Sequence, residues 1–242
     1  MKGFDYKFGA CTVEGCFFCD PAKDRILYIS EHFYVLLGLG PIVEGYVILV
    51  AREHIRSMFD LPTEIRKAYE REKQHLKTVI NDTYGPSIVT EHGRIQACST
   101  EDEEAHDLMC YHAHQLFFPT RVDLGDLSKE GPFEKIFEGS RLFAMSPSLL
   151  RDEDEYLLYE NSVGHTYVYK VRGKCPRQYL RYLVARLVDH PELASWQRYP
   201  GYDIIRKARK KYAKHFPPPY IENFSTHQSE GTTQRFSTYC RV

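Results

Sequence analysis

Long apolar runs are what this sequence most lacks. The longest, Tyr34–Leu39 and Tyr46–Ala51, fall far short of the ~20 residues a membrane-crossing helix needs, so no membrane partner is expected. An excess of one charge is also missing. Lys and Arg number 32 against 33 Asp and Glu, which leaves no overall field to draw in nucleic acid or a lipid surface. The stretch Met1–Ala10 is polar and aromatic without an apolar h-region, so a secretory leader is not expected and a cytoplasmic setting is. Seven cysteines are an odd number in a chain too long for a small disulfide scaffold, which points to reduced or metal-bound thiols. No internal repeat is visible.

What is present is a core: 43% of the 242 residues are hydrophobic and 14% aromatic. Residues 26–37 read as strand, polar interruption, strand, followed by the turn Gly38-Leu39-Gly40-Pro41. Tyr46–Val50 is a short β-branched run of the buried-strand type. A helix is predicted from Asp60-Leu61-Pro62-Thr63 to about Asn81, with Gly85-Pro86 ending it. Ile88–Thr90 and Met109–Phe118 read as strands, with the acidic stretch Glu101–Asp107 as a solvated loop between them. Residues 120–152 read as connection, and Tyr156–Glu160 with Thr166–Val171 as a hairpin. Arg177–Asp189 and Ile204–Lys214 read as amphipathic helices, the second carrying six basic residues on what is most simply a solvated face. The Pro-, Ser- and Thr-rich tail from Phe216 reads as extended or disordered. The expected division is 1–125, 126–215 and 216–242.

Three short patterns carry chemistry. Cys16-Phe17-Phe18-Cys19 can present two thiolates to one tetrahedral metal, and it also describes a redox pair or coincidence. In His112-Ala113-His114-Gln115-Leu116, strand alternation puts His112, His114 and Leu116 on one face and Gln115 on the other. Such a pair is either two half-buried sheet histidines or one metal ligand beside one nucleophile. His54 follows the strand that begins at Gly45-Tyr46, where it either completes a metal site or simply faces solvent.

Taken in order, C-x-x-C, a strand pair, G-x(8)-H, a long helix and H-x-H-x-x-x-x-P resemble the histidine-triad superfamily over roughly residues 14–121. The resemblance is to the zinc-bearing type, with a degenerate triad and a long C-terminal extension. It implies an α+β fold, an antiparallel sheet with a long helix, followed here by an α/β extension. By position it implies one structural zinc on Cys16, Cys19, His54 and His112, and His114 as nucleophile toward the α-phosphorus of a nucleotide or nucleotide conjugate. Members are often dimers, so a homodimer is the implied assembly; nucleic acid is not an expected partner. The chain also departs from the pattern. Leu116 replaces the third histidine, Gly38 falls on the ribose-binding carboxylate, Met109 on a phosphate-contacting serine and Glu91 on an asparagine. Glu91, His92 and Gln115 are the nearby candidates for substrate contact. Gln178 and Arg181 are further candidates, from a helix start suited to phosphate. The implied activity is hydrolysis of a nucleotide phosphoanhydride, ester or phosphoramidate through a His114 adduct. The alternatives are nucleotidyl transfer or phosphorolysis by the same route, and binding of a nucleotide or partner without turnover.

Overall fold

The β-branched and aromatic runs Phe33–Leu37 and Val47–Ala51 are buried at every position, so the sheet they form is covered on both faces. The computed structural model describes residues 16–95, 112–176 and 178–216. Its strands are β1 (Ile26–Ile29), β2 (Phe33–Leu37), β3 (Val47–Ala51), β4 (Ile88–Gly93), β5 (His114–Phe118), β6 (Phe133–Gly139), β7 (Tyr156–Glu160) and β8 (Thr166–Val171). Its helices are α1 (Thr63–Tyr84), α2 (Tyr179–Leu187) and α3 (Tyr202–Tyr212). The strands form one antiparallel sheet in the order β1-β2-β3-β5-β4-β7-β8-β6. The fold class is therefore α+β.

Alternation sorts the side chains into two cores. Val35, Leu49, Val89 and Phe117 pack with Tyr69 and Leu76 of α1 and Ala208 and Tyr212 of α3. Leu36, Val50, Ile88 and Phe118, from the other face, pack with Leu180 and Val184 of α2. Helix α1 stops where Gly85 takes φ +98° and returns its N–H to Asn81 O at 3.0 Å, a backbone setting that disfavours any side chain. On α3 several of the basic residues are already engaged. Arg206 pairs with Asp203, Lys211 with Glu44, and Arg209 donates to the carbonyls of Asp24 and Ile26. Among the described residues no helix is long and apolar enough to cross a membrane.

The structure departs from the sequence reading in two places. Residues 120–152 hold a seven-residue strand, β6, where only connection is expected. It is an edge strand, largely exposed and bulged between Lys135 and Phe137, so its charged residues hide the period-two signal. Strands β6 to β8 also extend the sheet begun before residue 125, and α2 and α3 cover its two faces. One sheet therefore runs across the boundary expected at 125. The tail from residue 217 and the acidic stretch 101–107 lie outside the described residues.

Candidate active site and metal centre

The end of β3 and the start of β5 lie side by side, because the antiparallel pairing sets Val50 opposite His114. His54, after β3, and His112, before β5, therefore emerge at one end of the sheet. The Cys16–Cys19 turn, closed by Cys19 N–H to Cys16 O at 3.1 Å, brings two thiols there. His112 donates its Nε2–H to Ala51 O at 2.7 Å, which leaves the lone pair on Nδ1. That nitrogen lies 3.5 Å from both Cys16 Sγ and Cys19 Sγ, and His54 Nδ1 lies 3.2 Å from Cys19 Sγ. All four atoms fall within 4.8 Å of one another. A tetrahedral zinc with bonds of ~2.3 Å to sulfur and ~2.0 Å to nitrogen requires S···N edges of about 3.5 Å, so the donor set and spacing fit a metal. Hydrogen bonding, first with Cys19 and then with His112 and His54, holds the Cys16 thiol far below its ordinary pKa. Four protein ligands would leave no open position, which makes a structural rather than a catalytic centre.

Two residues on, His114 faces a different neighbourhood. Its Nδ1–H donates to His112 O at 2.7 Å, so Nε2 carries the lone pair. Burial holds its pKa down to about 4. The Phe18 ring lies 4.5 Å away at a tilt of 32°, fixing the imidazole plane.

His114 opens onto a cavity of about 290 Å³. Leu36, Ile48, Thr90, His92 and Leu116 of the sheet form its floor, and Phe17, Phe18, Gln178, Arg181 and Trp196 close over it. Among the described lining residues there is no carboxylate, while Arg25 and Arg181 both contribute guanidinium groups. Arg181 is 5% exposed, stacks 5.2 Å over Tyr46, and donates to Gly40 O, Leu193 O and Ala194 O at 2.7, 3.2 and 3.4 Å. Arg25 donates to Leu37 O at 3.3 Å. Both guanidinium groups are held by backbone carbonyls, with Asp24 the acidic neighbour of Arg25, and they give the cavity a positive wall suited to an anionic ligand. Gln178, at the start of α2, holds φ +56°, a strained setting for a residue with a side chain. Its Oε1, Thr90 Oγ1 and His92 Nδ1 are buried without hydrogen-bond partners among the described residues.

The structure thus gathers His114, His92, Gln178 and Arg181 around one cavity, and Cys16, Cys19, His54 and His112 beside it. It corrects the placement of Glu91 and Gln115, expected near substrate. Both point to the opposite face of the sheet, because they alternate with Thr90, His92 and His114 along their strands. There Glu91 Oε1 accepts from Met58 N–H at 2.8 Å and Tyr156 OH at 2.7 Å, and its Oε2 from Gln115 Nε2 at 2.9 Å. Burial raises Glu91 to about 7 against the pull of those donors. Position 38 lacks a carboxylate for a steric reason: a Cβ there would lie 2.0 Å from Tyr46 Cε1. Sequence reasoning missed Phe17, Phe18, Arg25, Thr90 and Trp196 as cavity walls. The parity that singles out His92 also marks Thr90, but nothing local marks Trp196.

The sequence matches no protein-family profile and no curated protein. Among solved structures, a Hit-like protein involved in cell-cycle regulation from Bartonella henselae is similar at 14% identity and a TM-score of 0.29, over 39% of this chain and 67% of that one. A hypothetical histidine triad nucleotide-binding protein from Sulfolobus tokodaii is similar at 11% identity and a TM-score of 0.29, over 81% of this chain and 91% of that one.

Proposed function

We propose that this protein is a histidine-triad-type enzyme that hydrolyses a nucleotide phosphoanhydride, ester or phosphoramidate through a covalent His114–nucleotidyl intermediate. The observation that carries the reading is the Nδ1–H bond from His114 to His112 O, at 2.7 Å, which keeps the Nε2 lone pair available at the cavity. In the first step Nε2 attacks the α-phosphorus and the leaving group departs. In the second, water takes the nucleotidyl group and restores the imidazole. Through both steps the His112 carbonyl steadies the charge on the ring. Arg25 and Arg181, on a cavity whose described lining holds no carboxylate, are suited to the phosphoryl oxygens, and Gln178 adds a polar contact. The volume, about 290 Å³, lies at the low end of the ~300–1,000 Å³ usual for small-molecule sites, which favours one nucleotidyl group over a whole dinucleotide.

Zinc on Cys16, Cys19, His54 and His112, one per chain, is part of the same proposal. When bound it supplies a structural clamp and no chemistry on the substrate. His112 and Cys19 would then hold the Phe17-Phe18 wall against β5.

Nucleotidyl transfer differs only in the acceptor of the second step. A binding role without turnover is favoured by Leu116, which supplies no proton where the family has one. A panel of nucleoside phosphoramidates, dinucleoside polyphosphates, sugar nucleotides and capped nucleotides, with and without phosphate, separates these readings. Products and a nucleotidyl mass on the intact chain, both lost in His114→Ala, are the expected result. Tight binding without product or adduct would replace the enzyme with a binding protein.

A further inference from the structure

The place of the missing triad histidine is apolar, yet an imidazole stands one strand away. Thr90 of β4 pairs opposite Leu116 of β5, and continuing that register sets His92 across from His114 on the same face. Both rings line the cavity, and His92 is close enough for its charge to disfavour a charge on His114. His92 Nε2–H is bound to a carboxylate oxygen of Glu155, just before β7, where β7 pairs with β4. Its Nδ1 has no partner among the described residues.

We propose, building on the function above, that His92 oriented by Glu155 is the proton donor to the leaving group, taking the part that Leu116 cannot. A doubly protonated His92 donates from Nδ1 while Nε2–H stays on Glu155. As the bond from His114 Nε2 to phosphorus forms, the bond from phosphorus to the leaving atom breaks. The leaving atom takes the Nδ1 proton, and His92 becomes neutral. In the second step His92 Nδ1 accepts a proton from the attacking water as the phosphorus–nitrogen bond breaks, which restores both imidazoles. Among the described residues, the other titratable or charged groups on this cavity or beside His92 are His114 of β5, Arg25, Tyr46, Tyr179 and Arg181, and Cys175 after β8. Burial pushes the Cys175 thiol up to about 12, so it stays neutral and does not compete as a nucleophile.

The test uses leaving-group dependence. Single-turnover formation of the nucleotidyl adduct is followed with two esters of one nucleotide that the wild type accepts. One releases p-nitrophenolate, which needs no proton, and the other an alkyl alcohol, which does. His92→Gln should slow the alkyl ester about 10²–10⁴-fold and the p-nitrophenyl ester by no more than about tenfold. Glu155→Gln, a positioning variant, should slow the alkyl ester by a smaller factor while leaving the p-nitrophenyl rate and the affinity for both esters within a few-fold. Equal losses on both esters, or no loss on the alkyl ester, in variants with wild-type melting behaviour would overturn the assignment of His92 alone. A wild type that forms no adduct with either ester overturns the function itself.

Discussion

Strands β4 and β5 carry polar side chains on both faces, and the two sets are treated in opposite ways. On the α1 side, Glu91 receives three donors, and Gln115 spends its Nε2 on Glu91 and its Oε1 on Tyr69 OH at 2.8 Å. On the cavity side, one residue along in either direction, Thr90 Oγ1 and His92 Nδ1 have no partner among the described residues. A buried polar atom left unpaired costs about 1–3 kcal/mol, so the satisfied face has the signature of a structural network and the unsatisfied face that of a ligand site. Residue type alone does not separate them, since a carboxylate and an amide lie on the structural side. The face does.

Breaking the metal clamp should have the largest effect, because structural zinc in small sites is worth roughly 10–16 kcal/mol in apparent binding. Cys19→Ser is expected to take metal content from about one per chain to none. Phe17 and Phe18 hang on that turn, so nucleotide binding measured by calorimetry should fall with it. A wild type that is metal-free and stable would remove the four-ligand assignment.

Next comes the satisfied face. Gln115→Leu strands the Tyr69 hydroxyl and one Glu91 oxygen, and urea unfolding should show a loss of about 2–4 kcal/mol. Turnover per folded molecule should stay within a few-fold. An intact stability with lost turnover would return Gln115 to the substrate.

The same network gives a smaller, pH-dependent effect. The Glu91 pKa is raised from its ordinary value of 4.5 to about 7, so the folded chain holds a proton that the unfolded chain releases. Stability from this group is full below about pH 4.5 and is lost as pH rises through about 7. Melting temperatures from pH 5 to 8 should therefore decline less in Glu91→Gln than in the wild type, and parallel curves would sink the point. Smallest of all, Thr90→Val on the cavity face should move stability by no more than about 0.5 kcal/mol while weakening ligand binding several-fold. A stability loss as large as that of Gln115→Leu would erase the contrast between the faces.

Much of this arrangement was legible in local pattern. The β7–β8 hairpin and the Pro62 start of α1 follow from alternation and from turn or helix-start residues. The facing of Gln115 was legible too, by parity within one strand. The facing of Glu91 was not, because it depends on the register between β4 and its neighbours, and that is fixed by contacts far apart in sequence. For the same reason Trp196 gave no sign of reaching the cavity. Strand β6 went unseen because an exposed edge carries charges where a buried strand would show alternation.

Tyr46 does more than fill the space above Gly38. It stacks on Phe118 with ring centroids 4.8 Å apart and lies beneath Arg181. The 2.0 Å approach to a Cβ at position 38 therefore couples what positions 38 and 46 can hold. A carboxylate cannot enter at 38 while the tyrosine stands, and the tyrosine cannot leave without loosening the arginine. The two positions are locked together, and room for a larger side chain at 38 has to be made at position 46 first.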